Sequence, residues 1–259
     1  MVSNNPLFLI SNDDGVHAPG IRALAKVAAR FGEVIVVAPH VERSASSHAI
    51  TIGSPLRVEE IEDNVFAVEG TPADCIMLAC RRILSRKPTW VLSGINRGAN
   101  LGIDTLYSGT VGAAMEGSIL GFPAMAISSL GKPRDRIHYE TAAEISFRLL
   151  ENKGLVEDIA RLGVININVP NLPLADIRGV RIATLGRRLY SDEMIQGIDP
   201  RGRPYYWIGG GGDGFEDIPN SDCDLTKQGY ATVSFLKTSF WDEGINKTLQ
   251  TRLEKVFGS

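Results

Sequence analysis

The chain has 259 residues, with 27 Lys+Arg against 30 Asp+Glu for a formal net charge of -3, and is 44% hydrophobic and 22% charged. That length suits one or two domains that need no metal or disulfide staple to fold, and the composition is that of a globular chain rather than a disordered one. The mild acidity argues against a nucleic-acid scaffold, which would carry a basic face, yet leaves room for a compact phosphate site.

The start, MVSNNPLFLISNDDG, lacks a basic region and meets acidic residues too early for a secretory leader. The apolar runs fall short of the roughly 20 residues of a membrane helix. A cytoplasmic location with no membrane partner is therefore expected. Cys75, Cys80 and Cys223 are an odd set without metal-binding spacing and read as buried thiols.

In chain order, LFLI (7–10) predicts a buried strand, and IRALAKVAAR (21–30) has helical spacing behind Pro19 and Gly20. VIVVAP (34–39) reads as the next strand, followed by the polar stretch HVERSASSHAITIGSP. LRVEE (56–60) and NVFAVEG (64–70) suggest a hairpin, and Thr71-Pro72 opens a helix through ADCIMLACRRIL. WVLSG (90–94) predicts a strand ending in glycine. GTVGAAMEGSIL (109–120) predicts a helix of small residues, PAMAISS (123–129) a strand, IHYETAAEISFRLLEN (137–152) a helix and VININVP (164–170) a strand. Such alternation implies right-handed βαβ units and a mostly parallel sheet flanked by helices. From Val180 the runs shorten, RPYYWIGG looks like half a hairpin, and a helix is expected from about Asp242 to Phe257. The expected organisation is a single α/β domain, a core of about 1–179 with a C-terminal hairpin and helix arm of about 180–259.

Ligands of parallel sheets bind beyond the carboxyl ends of the strands. After the first strand stand Asn12, Asp13, Asp14 and Gly15. Adjacent carboxylates there form either a solvated turn that caps the next helix or a seat for a hard divalent cation. The loop after the second strand offers the hydroxyls of Ser44, Ser46 and Ser47, and WVLSG is followed by Asn96-Arg97-Gly98-Ala99-Asn100. Together these supply two carboxylates, a hydroxyl and an amide oxygen at three strand ends, a set suited to Mg²⁺ or Mn²⁺. Tyr107-Ser108-Gly109-Thr110 opens a helix and serves either as an ordinary cap or as a phosphate cradle. His48 reads as structural, with substrate contact as its alternative. The dinucleotide-like Gly209-x-Gly211-x-x-Gly214 does not lead into a helical pattern and is read as a decoy.

The stretches SNDDGVHAPGI (11–21), VVAPHVERSASSHAIT (36–51), GTPADC (70–75), LSGINRGANLG (92–102) and YSGTVGAAMEG (107–117), with NINVP (166–170) and YYWIG (205–209), resemble the SurE stationary-phase survival proteins. The resemblance spans nearly the whole chain. It implies a Rossmann-like core, a metal-dependent phosphatase acting on nucleoside 5′- or 3′-monophosphates and possible use of short polyphosphate. It also implies one divalent cation per subunit (Mg²⁺ or Mn²⁺), and a homodimer or homotetramer built with an exchanged C-terminal arm. It makes Asp13, Asp14, Ser44 and Asn96 the metal ligands, with the pair Asp13 and Asp14 as catalytic candidates. Asn12, Ser108, Gly109 and Thr110 are the expected phosphate contacts. Ala45 departs from the glycine that many relatives carry there. A signalling receiver domain would need a phosphorylatable Asp after a middle strand, where WVLSGIN has none; Lys132 alone matches its lysine. A non-catalytic nucleotide-binding module remains the other alternative.

Overall fold

The structure is a computed structural model that describes residues 5–131, 135–151, 157–160, 162–189, 194–208, 214–239 and 243–257. Its first half runs β1 (Leu7–Ser11), α1 (Pro19–Ala28), β2 (Glu33–Pro39), β3 (Val58–Glu62), β4 (Val65–Val68), α2 (Pro72–Leu78), β5 (Trp90–Arg97) and α3 (Gly109–Ile119). Then follow β6 (Ala124–Leu130), α4 (Tyr139–Glu151), α5 (Glu157–Ala160), β7 (Gly163–Pro170), β8 (Val180–Ile182), β9 (Arg188–Leu189), β10 (Met194–Ile198) and β11 (Pro204–Ile208). The chain closes with β12 (Gly214–Phe215), α6 (Asp222–Lys227), β13 (Ala231–Lys237) and α7 (Glu243–Phe257).

Nine strands form one sheet in the order β3-β4-β2-β1-β5-β6-β7-β13-β8. All neighbours are parallel except β3 with β4 and β13 with β7. Successive side chains of a strand face opposite ways, so β1 feeds two cores. Phe8 and Ile10 join Ile21, Leu24 and Phe147 under α1 and α4, whereas Leu7 and Leu9 join Ile76 and Val111 under α2 and α3. Because both faces are covered, β1 is a continuous apolar run with no polar alternation. Phe147 stacks on Phe31 at 4.9 Å and meets Phe8 edge-on at 5.5 Å, closing the first core.

Local signals set the helix starts. Thr71 and Asp74 form a reciprocal capping box on α2, with Pro72 in the first turn. Ser108 caps α3 by accepting the Val111 N–H. The three thiols are held up by burial, Cys80 to about 11 and Cys223 to about 12, with Cys75 also raised, so they stay protonated and inert.

Two expectations change. β5 does not stop at Gly94 but runs to Arg97 through a register shift against β6 between Ser93 and Asn96. The stretch after Val180 is not wholly an arm, because β8 and β13 lie in the main sheet and the expected core of 1–179 does not close it. Between them, β10 and β11 make a separate antiparallel pair and β9 and β12 another. The carboxylate of Asp222, fully buried, ties this region down by accepting N–H groups from Gly102, Gly186 and Cys223 at 2.8, 2.7 and 2.8 Å. Lys132, Asp242 and most of the Gly209–Gly214 pattern lie outside the described residues.

Candidate active site

The strand order reverses at β1, which leads to β2 on one side and neighbours β5 on the other. The crevice at such a switch point is where open parallel sheets hold ligands. The residues after β1 enter it directly. Asn12 is fully buried and its amide donates to Gly15 O at 2.9 Å, closing a turn in which Gly15 takes φ +97°. Asn12 therefore commits its amide nitrogen to shaping the turn. Its Oδ1 has no partner, nor does the buried Ser46 Oγ.

Asp13 is 4% exposed and points at the start of α3. Its carboxylate accepts the Thr110 hydroxyl, and the backbone N–H groups of Thr110 and Gly109 face it and favour its charged form. Burial nevertheless raises its pKa above the ordinary range, with those bonds opposing the rise. Gly109 permits the approach, since a Cβ there would lie 2.5 Å from Ser46 Oγ and 2.8 Å from Asp13 Cβ. The expected phosphate cradle thus faces Asp13 here. Ser108 is spent on its cap and Thr110 on the carboxylate.

Asp14 lines a cleft of ≈ 430 Å³ with Glu42, Ser44, Arg97 and Tyr139. It accepts the Arg97 N–H at 3.0 Å. Burial pushes its carboxyl up to about 6, and the negative charges of Asp13 and Glu42 add to the rise. Tyr139 is raised as well, by burial and then by the Asp14 charge. Ser44 is exposed on the same cleft and donates to Glu42 Oε1 at 2.6 Å. Asn96 is half-buried at the end of β5, its amide nitrogen donating to Gly98 O at 3.0 Å, which leaves its carbonyl oxygen as the end for a cation.

The loop after β2 is fixed at several points. The Arg43 N–H donates to Asp13 O at 2.7 Å, the Ser47 N–H to Tyr107 O at 2.9 Å, and His48 pairs with the buried Glu116 at 2.9 Å. His48 accordingly has a structural partner. Ala45 and Ser47 adopt φ of 56° and 53°. That left-handed conformation explains why glycine suits position 45, and alanine takes it at a cost of about 1–2 kcal/mol. Glu42 and Arg97 lie inside stretches singled out in the sequence but were given no role there, and Tyr139 lies in a segment read only as a helix. Only the fold brings their three segments to one cleft.

Among the described residues, no group of three or more His, Cys, Asp and Glu is placed to hold a metal ion. A cation here would rest on two carboxylates and neutral oxygens. The donor set is all oxygen, with the orphaned Asn12 Oδ1 and Ser46 Oγ beside it, and it fits a hard divalent cation.

The family model described as Survival protein SurE matches residues 8–192. The chain belongs to the SurE survival protein family. Among SurE relatives, the 5′-nucleotidase SurE of Geobacter sp. (strain M21) is 43% identical over 94% of this chain and 98% of its own length. The 5′/3′-nucleotidase SurE of Salmonella paratyphi B is 44% identical over 96% of this chain and 97% of its own. The crystal structure of the SurE protein from Aquifex aeolicus superposes with a TM-score of 0.82 at 38% identity, covering 96% of this chain and all of that one. The SurE fold is thus shared over essentially the whole length, including the strands that follow the family-model match.

Proposed function

We propose that this chain is a divalent-cation-dependent phosphomonoesterase that hydrolyses nucleoside 5′- and 3′-monophosphates to nucleoside and phosphate. Short polyphosphate is a further proposed substrate. The observation that carries the reading is the Asp13–Asp14 pair, both carboxyls raised by burial, at the sheet's switch point beside the start of α3. The names of the Geobacter and Salmonella relatives support the substrate class.

In this reading Asp13, Asp14, Ser44 and Asn96 hold one Mg²⁺ or Mn²⁺. When bound, the cation neutralises phosphoryl oxygens and acidifies water. Hydrolysis then breaks the P–O ester bond as water adds to phosphorus. A carboxylate oxygen of the Asp pair not engaged by the cation would accept the water's proton and pass it to the departing nucleoside oxygen. With Asp13 holding the cation, the Gly109 and Thr110 N–H groups at the positive end of the α3 dipole would be left to phosphoryl oxygens. No covalent nucleophile is needed, since positioning and charge stabilisation carry phosphoryl transfer. With AMP, GMP and short polyphosphate as substrates, phosphate release is expected with Mg²⁺ or Mn²⁺ and not after EDTA. Nucleotide binding without any phosphate release under every metal would overturn the reading in favour of a binding module.

We also propose a homodimer or homotetramer. The β10–β11 pair exposes Met194, Ile195, Ile198, Trp207 and Ile208, more apolar surface than a lone two-stranded hairpin keeps in water. Light scattering should give a mass of two or four chains, and a Trp207→Glu, Ile195→Glu variant a smaller one. A monomeric parent chain would remove the proposal. No helix of the described residues is long and apolar enough to cross a membrane. A cytoplasmic location is the matching proposal, checked by cell fractionation.

A further inference from the structure

Two asparagines on β7 are buried without any part in the chemistry above. Asn166 is 0% and Asn168 1% exposed, on a strand whose other face carries Ile165, Ile167 and Val169 in the apolar core. β7 lies between β6 and β13, with Asn168 opposite Ser128 and Thr232. Amides at such depth need partners, since each unmade hydrogen bond of a buried polar group costs about 1–3 kcal/mol.

Their partners converge on one residue. The Asn100 N–H donates to Asn168 Oδ1 at 2.9 Å, and Asn168 Nδ2 donates back to Asn100 O at 3.0 Å. Asn166 Nδ2 gives the same carbonyl a second hydrogen bond at 2.9 Å. The Asn100 side chain in turn donates to Ser128 Oγ at 2.8 Å. Asn168 therefore grips the main chain of residue 100 by both its donor and its acceptor, as a neighbouring strand would. The other end of this loop is held by the Arg97 N–H on Asp14 and by the Gly98 N–H on Ser129 O at 2.9 Å. The segment 96–100 thus hangs between Asp14 and β7.

We infer that Asn168, assisted by Asn166, is a positioning residue for the nucleotidase reaction: by clamping the main chain of Asn100 it sets where Asn96 and the Arg97 N–H stand relative to Asp14. The inference rests on the metal reading proposed above. An apolar residue at 168 would fill the space but leave the Asn100 N–H buried without an acceptor, and the loop would settle elsewhere. Partners behind a metal ligand typically govern about 10–100-fold in affinity or activity.

The test uses the full chain as parent, Asn168→Ala, Asn166→Ala and Ser146→Ala. Ser146 is equally buried, but its hydroxyl donates to Ala142 O within α4 at 2.8 Å, away from the site. Mn²⁺ affinity is read by calorimetry, AMP turnover as kcat and KM, and stability by melting. Asn168→Ala is expected to weaken Mn²⁺ binding and lower kcat by about 10–100-fold each, with KM for AMP moved by less than about 3-fold. Asn166→Ala, which removes one of two donors to Asn100 O, should give a smaller loss in the same direction, and Ser146→Ala should lose stability alone. If Asn168→Ala does not fold, Asn166→Ala decides. Parental Mn²⁺ affinity and kcat in the folded β7 variant, or equal losses in Ser146→Ala, would overturn the inference. A parent chain that neither binds Mn²⁺ nor releases phosphate would instead overturn the metal reading and take the positioning role with it.

Discussion

An Asp14→Asn chain is expected to fold, to lose phosphate release from AMP and, stripped of metal, to melt at a higher temperature than the parent at pH 7. The activity loss should exceed the roughly 10–100-fold that follows removal of a partner behind a ligand. The gain in melting temperature follows from the buried carboxyl. Burial, helped by Asp13 and Glu42, lifts its pKa to about 6 from an ordinary 3.8. Below pH 3.8 both folded and unfolded chains hold the proton and the shift costs nothing. As pH rises toward 6 the unfolded chain ionises first, so the parent loses stability across that window and regains none above it. Asparagine carries no charge and escapes the loss. Melting curves of both EDTA-treated chains from pH 4 to 8 should diverge between pH 4 and 6 and then run parallel. Equal curves, or phosphate release at the parental rate, would contradict the assignment of Asp14.

Gly109→Ala should be nearly as damaging, by a steric route. The added methyl would stand 2.5 Å from Ser46 Oγ, 2.8 Å from Asp13 Cβ and 3.0 Å from Asp13 Oδ2. Ser46 can rotate away, but Asp13 Cβ is fixed by β1 and can move only with its backbone. Forced crowding of this kind costs about 1–3 kcal/mol, and a shift of about 1 Å in a reacting group can cost on the order of 100-fold in rate. Gly53→Ala is the control, since a Cβ there meets nothing within 4 Å. Urea midpoints and kcat measured on both variants test this: Gly109→Ala should fall in each, and Gly53→Ala in neither.

Much of the site was legible because it obeys a local rule. A short apolar run followed by Asn12, Asp13 and Asp14 places polar residues at a strand end, and parallel sheets bind ligands there whatever the family. The serine loop and the Asn96 segment followed by the same rule, and the α3 start by its cap. What escaped depends on pairing across long stretches of chain. Gly94 reads as a strand end, yet pairing of Asn96 and Arg97 with Ser128 and Ser129 of β6 carries β5 on to Arg97. Asn166 and Asn168 lie in a run read simply as a strand, and nothing near them in sequence points to Asn100. Thr110 looked like a phosphate contact, and its hydroxyl instead meets Asp13, a partner set by the approach of α3 to β1. β13 and α6 were absorbed into the arm because their sheet neighbours lie far back in the chain.

The insertion of β13 between β7 and β8 has a mechanical corollary. The strand neighbour of β8 in the sheet is β13, to which it pairs through Val180, Arg181 and Ile182. The β10–β11 hairpin therefore falls, in chain order, between one strand of the sheet and that strand's neighbour. The hairpin is a bight of rope made fast at both ends, not a trailing end. Whatever surface it meets must lie within the span of that excursion, and pulling on it loads the bonds of Asp222 to Gly102 and Gly186 and of Arg188 to Asp104 as well as β8 and β13 at the sheet margin.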